Sequence, residues 1–352
     1  MRAYVNRSVR QADVPPPSGD AAAFHAALEG YQPTPIHELR DVAAELGLRA
    51  VSLKDESDRL GLPAFKVLGA SWAVERAFRE QQGVRTLVAA SAGNHGRAVA
   101  NVAARRGLNC RVYLPARASK ARRDGIAAEG ADVVVVEGTY EEAVAQAAAE
   151  GVQDGVLELA DVGASGPASW VIDGYATLFA EVVAAGEPFD LILVPAGVGS
   201  LAAAAARFAA QAGAKVIGVE PVTAACLSAS LIAGEPTEVP TPGTTMAGLD
   251  CAEVSVAAWP SLRAGVHGTI TIRDAEAHAA MRELAALGLA IGDCGAAPLA
   301  ALRALAAEPE AAALRDAVGL GPDARVLLVA TEGPTDPDAY RRVVEPALDQ
   351  SA

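Results

Sequence analysis

Cysteine is scarce in this sequence, and its distribution excludes two ways of stabilising a fold. The four cysteines form no C-x-x-C pair and lie at no metal-ligand spacing from a histidine, so neither a disulfide scaffold nor a bound metal is expected. The five histidines include no H-E-x-x-H pair, which excludes the usual zinc hydrolases. Any chemistry must therefore use other groups.

Basic residues and long apolar runs are also few. The 29 lysines and arginines face 43 acidic residues, for a net charge of −14, and no basic run could follow a nucleic-acid backbone. No apolar run reaches membrane-spanning length, and residues 3–17 are polar and proline-rich, unlike a signal peptide. Since 51% of the 352 residues are apolar, the chain can bury a large core and is expected to be globular. Together with the charge and the missing apolar runs, this predicts a cytoplasmic protein that binds neither nucleic acid nor membrane.

Short β-rich runs alternate with alanine-rich stretches along most of the chain, which predicts an α/β fold with parallel strands and right-handed crossovers. Upstream of them, Thr34 as N-cap and Pro35 in the first turn predict a helix that stops at Gly47. The predicted strands are residues 50–53, 86–90, 110–114, 133–136, 191–194, 216–219 and 326–329, and the clearest predicted helices are residues 140–150 and 201–211.

A buried strand at 191–194 leads into a glycine turn and then a helix. Inward-facing amides and a helix N-terminus form a phosphate cradle, here made of Gly197, Val198, Gly199, Ser200 and Leu201. An ordinary tight turn would also use these glycines. Together with Ala202 and Glu220 they satisfy a relaxed dinucleotide fingerprint, so an NAD-dependent dehydrogenase remains an alternative at this point.

A second turn joins strand 86–90 to the next helix and can bind a carboxylate through successive amides. Its residues are Ser91, Ala92, Gly93, Asn94 and His95. Asn94 offers an amide to a ring hydroxyl, although a simple Asn-Gly turn with a helix cap fits the pattern as well.

Two further residues stand out. Thr331 follows a late strand, at the sheet edge where α/β proteins bind ligands, and could equally cap a turn. Lys66 lies between Phe65 and Val67, where burial would lower its pKa and favour a neutral, nucleophilic amine.

Lys66, the Ser-Ala-Gly-Asn-His-Gly turn, the Gly-Val-Gly-Ser turn and Thr-Glu-Gly occur in the order found in fold-type II (tryptophan synthase β-like) pyridoxal-phosphate enzymes, which the chain resembles over about residues 32–340. Residues 54–57, 64–69, 170–178, 245–251 and 331–337 are similar to diaminopropionate ammonia-lyases. The resemblance implies an α/β homodimer with two parallel-sheet domains and the active site in the cleft between them. The large cofactor-binding domain would be 1–69 and 183–352, and the small inserted domain 70–182.

The resemblance also implies the cofactor, pyridoxal 5′-phosphate, and a role for each motif. Lys66 would form the Schiff base and act as catalytic base, Asn94 would bond the ring hydroxyl, the turn from Gly197 to Leu201 would bind the phosphate, and Thr331 would meet the pyridine nitrogen. The turn from Ser91 to His95 would bind the substrate. Asp161 would contact a substrate amino group or protonate the leaving group, unless it is only a helix cap or a solvated acid.

The function predicted in this way is α,β-elimination on a β-substituted amino acid. The preferred prediction is the conversion of 2,3-diaminopropionate to pyruvate and ammonia. A threonine or serine dehydratase and a β-replacement synthase are alternatives on the same fold; a dehydrogenase or a non-catalytic ligand-binding relative is the alternative of another class. Ala92 stands where diaminopropionate ammonia-lyases usually have an acid/base aspartate, so we predict that activity on the D-enantiomer is lost. Cys226 and Cys251 fall where family members have cysteines, and we expect free thiols there.

Overall fold

The computed structural model describes residues 2–80, 83–160, 163–186 and 189–345. Its strands are β1 (Arg2–Val5), β2 (Ile36–Glu38), β3 (Ala50–Asp55), β4 (Thr86–Ala90), β5 (Asn109–Pro115), β6 (Asp132–Val136), β7 (Val156–Glu158), β8 (Leu191–Pro195), β9 (Lys215–Pro221), β10 (Gly268–Ile272) and β11 (Arg325–Ala330). The predicted strands are therefore confirmed, each to within one or two residues.

The α-helices are α1 (Ala21–Ala26), α2 (Arg40–Leu46), α3 (Lys66–Glu80), α4 (Asn94–Arg105), α5 (Lys120–Ala128), α6 (Tyr140–Gly151), α7 (Pro167–Gly174), α8 (Ala176–Ala184), α9 (Ser200–Ala212), α10 (Cys226–Ala233), α11 (Trp259–Gly265), α12 (Asp274–Ala286), α13 (Asp293–Ala307), α14 (Ala312–Val318) and α15 (Pro337–Val344). Short 3-10 helices lie at Gln11–Asp13, Ala247–Leu249 and Pro309–Ala311. None of the helices within the described ranges is both long and apolar enough to cross a membrane.

The chain divides into two compact units. The first unit consists of Met1–Pro17, Gln32–Ala64 and Leu178–Ala352, and the second of Ser18–Tyr31 and Phe65–Thr177. The domain limits proposed from the sequence, after residues 69 and 182, remain a prediction.

The first unit is built on a seven-stranded sheet in the order β1-β10-β9-β8-β11-β3-β2. The five inner strands are parallel, and the edge strands β1 and β2 are antiparallel to their neighbours. Every residue of β8 and β10 is buried, as expected for a parallel sheet with both faces covered. The ends of β8 and β11 carry two of the candidate turns.

The second unit contains a four-stranded parallel sheet in the order β6-β5-β4-β7. Helix α6 begins with a capping box in which Thr139 and Glu142 bond each other's backbone amides, and it confirms the helix predicted at residues 140–150 from its alanine content. The two sheets, parallel except at the edge strands β1 and β2, confirm the predicted α/β class.

The helix predicted to start at Pro35 is wrong at its beginning. Residues Ile36–Glu38 form β2, which pairs with β3, and α2 starts only at Arg40. The hydroxyl of Thr34 donates to Glu56 at 2.7 Å and caps no helix. Pairing with a distant strand outweighed the local helical signal, whereas Gly47 ends α2 at φ 63°, as predicted.

Candidate functional site

Lys66 is the first residue of α3, in the second unit. Phe65, Val67 and Leu68 beside it are 7%, 1% and 0% exposed, and Lys66 itself is half-buried. Its Nζ lies 5.6 Å from the centre of the Phe65 ring. The amine therefore has an apolar wall on one side and partial access to solvent, which suits a nucleophile that must meet a ligand.

The turn from Ser91 to His95 joins β4 to α4 in the same unit. Gly93 is the N-cap of α4, and the Ser91 hydroxyl accepts a hydrogen bond from the Gly93 amide at 3.3 Å. A Cβ at Gly96 would lie 2.2 Å from the Ser91 carbonyl oxygen, so only glycine permits this tight a turn.

The side chains of this turn differ in exposure. Ser91, Ala92 and Asn94 are half-buried and Gly93 is exposed, so all four can meet a small molecule. His95 is buried, and its Nε2 donates to the Leu159 carbonyl at 2.7 Å. That ring nitrogen holds the turn against the segment after β7, and we do not assign it to substrate binding.

The glycine turn after β8 lies in the first unit and is tightly packed. A Cβ on Gly197 would lie 2.8 Å from the Gly248 carbonyl oxygen and 2.9 Å from the Cys251 sulfur. Gly199 has φ 88°, and a Cβ there would lie 2.6 Å from Leu262. Both positions therefore require glycine. At Gly197 the reason is the close approach of other atoms, and at Gly199 the backbone conformation is a second reason.

Two buried hydroxyls indicate that this unit accommodates a further group. Ser200, at the start of the thirteen-residue helix α9, is 3% exposed, and Thr331, directly after β11, is 5% exposed. Neither hydroxyl has a hydrogen-bond partner within the described part of the chain, although buried hydroxyls nearly always have one. A phosphate at the α9 N-terminus and a ring nitrogen at Thr331 are partners that these hydroxyls fit.

The NAD-dependent dehydrogenase alternative requires Glu220 to bind a ribose, and the structure does not support that role. Glu220 is fully buried, and its carboxylate accepts hydrogen bonds from the backbone amides of Leu227 and Ser228, at 2.6 and 2.9 Å, and from the Ser228 hydroxyl at 2.6 Å. Burial raises the pKa of Glu220 to about 7, although these hydrogen bonds oppose the shift. Glu220 thus holds the start of α10 and cannot receive a ribose.

Two cysteines border the glycine turn. Cys226 Sγ lies 3.5 Å from the Gly197 carbonyl oxygen, and Cys251 packs against the same glycine. Both are free thiols, as expected. Burial, with help from Glu220 and Cys251, raises the pKa of Cys226 above its usual range, so Cys226 is a packing residue and a poor nucleophile.

The Lys-Asp-Glu-Ser motif at 54–57 supplies a buried ionic network that the sequence did not reveal. Arg59 contacts Glu56 at 2.6 Å and Glu181 at 2.6 Å, and Lys54 Nζ lies 2.6 Å from Glu181. Lys54, Glu56 and Arg59 are 0% exposed. Five charged residues in the six positions 54–59, at the end of a predicted strand, are a signal that could have indicated the network. Glu181 is too distant in sequence to be foreseen.

A buried acidic cluster beside Thr331 was also missed. Asp293, Cys294 and Glu332 have side-chain atoms within 4.8 Å of one another. Burial raises the pKa of Asp293, and burial with the two carboxyl groups raises the pKa of Cys294. Asp161, expected as an acid, lies outside the described residues.

Comparison with known proteins identifies the family. Residues 27–332 match the model of the family described as pyridoxal-phosphate dependent enzyme. The diaminopropionate ammonia-lyase of Escherichia coli K12 is 32% identical over 358 residues, which cover 92% of this chain and 90% of that protein. The crystal structure of the Escherichia coli enzyme with an aminoacrylate-PLP azomethine reaction intermediate has a TM-score of 0.89 and 31% identity, and the alignment covers 97% of this chain and 96% of that one.

The chain therefore belongs to the family of pyridoxal-phosphate dependent enzymes, with the fold-type II architecture. Within the family it is similar to diaminopropionate ammonia-lyases over nearly its whole length. It is also 29% identical to the biosynthetic L-threonine dehydratase of Escherichia coli K12, over 73% of this chain and 49% of that protein.

Proposed function

We propose that this protein catalyses pyridoxal-phosphate-dependent α,β-elimination on a β-substituted amino acid, with 2,3-diaminopropionate as the substrate. One substrate molecule and one water would give pyruvate and two ammonia molecules. The observation that carries the proposal is the 32% identity to a diaminopropionate ammonia-lyase across 92% of the chain.

The residues that the resemblance assigns to the cofactor have the following proposed roles. Lys66 is the amine for its aldehyde, Asn94 the partner of its ring hydroxyl, and Thr331 the partner of its pyridine nitrogen. The turn from Gly197 to Leu201, with the Ser200 hydroxyl, is the phosphate site. When bound, pyridoxal phosphate supplies the electron sink that makes the substrate Cα acidic.

The chain's own residues would supply binding and proton transfer. The amides and hydroxyl at Ser91 to Asn94 anchor the substrate carboxylate, which orients Cα. The half-buried Lys66 amine takes the Cα proton, and Asp161 donates a proton to the leaving amine or contacts the substrate amino group. Thr331 offers a neutral hydroxyl to the pyridine nitrogen, which does not hold that nitrogen protonated and so favours elimination over longer-lived carbanion chemistry.

A hydroxy-amino-acid dehydratase is the second candidate, and one residue favours it. Ala92 has no proton to exchange, and the turn in which it lies is similar to that of threonine and serine dehydratases. Without an acid at position 92, this turn offers the substrate no second base to act opposite Lys66, so we predict that only L-amino acids react.

A substrate panel tests both candidates. We expect the highest kcat/KM for L-2,3-diaminopropionate, measured as 2-oxo acid release, with lower values for L-serine and L-threonine and none for D-2,3-diaminopropionate. The variant Ala92→Asp should acquire D-activity. A higher kcat/KM for L-serine or L-threonine would establish the dehydratase, and no 2-oxo acid from any substrate would refute elimination.

We further propose that the enzyme is a cytoplasmic homodimer. The support is the resemblance to homodimeric family members and the four free thiols, which suit a reducing compartment. Light scattering on the purified protein should give twice the mass of the 352-residue chain, and a monomeric mass would contradict the proposal.

A further inference from the structure

His25 is a fully buried histidine that the chemistry described so far does not use. It lies near the end of α1, in the second unit, and is 0% exposed. Its Nε2 is 3.0 Å from the Leu68 carbonyl oxygen and 3.0 Å from the Ser71 hydroxyl. Its Nδ1 is 2.6 Å from the hydroxyl of Thr177, another residue with no exposure.

These contacts define the tautomer of His25. A carbonyl oxygen only accepts hydrogen bonds, so Nε2 carries the proton and donates it to Leu68. In the neutral ring Nδ1 then accepts from the Thr177 hydroxyl. The ring is therefore fixed at both nitrogens.

Each acceptor of Nε2 belongs to the first two turns of α3. Leu68 follows Lys66 by two residues, and the Ser71 hydroxyl donates in turn to the Val67 carbonyl at 2.7 Å. His25 and Ser71 thus bond the carbonyls of both residues that come directly after Lys66. These bonds are additional to the backbone bonds within the helix.

Helix α7 fixes the same turn from another direction. A Cβ on Gly174 would lie 2.6 Å from the Leu68 carbonyl oxygen, and a Cβ on Gly69 would lie 2.7 Å from the ring of Tyr175. Backbone therefore packs directly on backbone here, and the first turn of α3 has little freedom to shift.

We propose that His25 is a positioning residue for Lys66: its hydrogen bonds to the first turn of α3 determine the position of the Lys66 amine. This inference rests on the proposed role of Lys66. Because Lys66 begins the helix, the orientation of its side chain follows that of the turn, and a shift of about 1 Å in a reacting group can lower a rate about 100-fold.

The test compares two variants of the holoenzyme. His25→Leu removes every hydrogen bond of the ring, and His25→Gln keeps a donor near the Nε2 position. We expect His25→Leu to lower kcat per bound cofactor at least about 10-fold with KM within about twofold of the wild type, and His25→Gln to regain most of the loss.

A second readout needs no cofactor. In apoprotein, hydrogen exchange of the amides of residues 70–72, whose helical bonds close the first turns of α3, should be about 10-fold faster in His25→Leu. Asn6→Ala is the matched control, because Asn6 is 5% exposed, lies in the first unit and donates to the carbonyls of Arg263 and Val266 at 3.0 and 2.7 Å. It should lower stability but leave kcat per bound cofactor and exchange in α3 unchanged.

Unchanged kcat per bound cofactor in His25→Leu would overturn the inference, provided that Lys66→Ala is inactive. If Lys66→Ala remains active, the proposed function itself fails. Should His25→Leu not fold, Thr177→Val takes its place, since it removes the donor to Nδ1; we expect kcat lowered about threefold, and an unaltered kcat would refute the role of His25.

Discussion

In the first unit the residues assigned to the cofactor phosphate and ring nitrogen follow strands of which all or all but one of the residues are buried. Among them, Ser200 and Thr331 are 3% and 5% exposed. In the second unit Lys66 and Asn94 are half-buried, and each begins a helix. The first set is fixed by packing of glycines against neighbouring backbone and side chains. The second set lies beside histidine hydrogen bonds: His25 bonds the Leu68 carbonyl in the first turn of α3, and His95 joins its own turn to the Leu159 carbonyl.

The difference follows the tasks proposed for the two units. A group that only binds a phosphate binds it more strongly when it is rigid and shielded from solvent, because an interaction with a charge is stronger away from water. A group that takes a proton from a changing substrate must remain accessible. Changes to the first unit should therefore reduce stability or cofactor affinity, and changes around Lys66 should reduce turnover.

The largest effect on stability is expected from the buried ionic network of the first unit. Burial lowers the pKa of Arg59, but Glu56 and Glu181 raise it beyond its usual range, so the guanidinium stays charged. Arg59→Leu would leave two buried carboxylates with Lys54 alone, and should lower the free energy of unfolding by about 3–5 kcal/mol in urea titrations.

The control for Arg59 is Arg273→Leu. Arg273 pairs with Glu276 at 2.6 Å on the surface, with side chains 66% and 30% exposed, and its loss should change stability far less than the loss of Arg59. Equal effects of the two variants would contradict the view that buried groups make the first unit rigid.

The next effect concerns pH and Glu220. Its pKa is raised from 4.5 to about 7, so the folded state binds this proton more tightly than the unfolded chain does. The resulting stabilisation is complete below about pH 4, falls as pH rises and is lost above pH 7, a total of about 3 kcal/mol. Between pH 5 and pH 8, the unfolding free energy of the wild type should fall relative to that of Glu220→Gln.

Glu220→Gln should also be less stable than the wild type at pH 5, because its amide group would face a backbone N–H of Leu227 or Ser228. Parallel pH profiles for the two proteins would show that Glu220 keeps one protonation state across this range.

The smallest effect on stability is expected from the two buried hydroxyls, whose removal should affect cofactor binding and not folding. Ser200→Ala and Thr331→Val remove buried hydroxyls without a partner in the described chain, so each apoprotein should be as stable as the wild type or more stable by about 1 kcal/mol. Cofactor affinity should instead fall about 10-fold, measured by fluorescence titration. Lower apoprotein stability with unaltered affinity would mean that these hydroxyls serve the fold.

Local sequence signals predicted the elements whose residues satisfy their own pattern. The apolar run at Leu191 and the alanine-rich stretch at residues 140–150 needed no distant partner. The start of α2 could not be predicted, because β2 exists only through its pairing with β3. The same holds for the site. The glycine turns and Lys66 could be predicted from local motifs, whereas His25 and Glu181 could not, because they contact residues far along the chain.

The most direct test of the central claim is chemical. Borohydride reduction of the holoenzyme, followed by peptide mass spectrometry, should abolish the visible absorption band and place a pyridoxyl phosphate group on Lys66 in nearly every molecule. Attachment at another lysine, or no covalent attachment to the reconstituted protein, would contradict the assignment of Lys66 and the mechanism that depends on it.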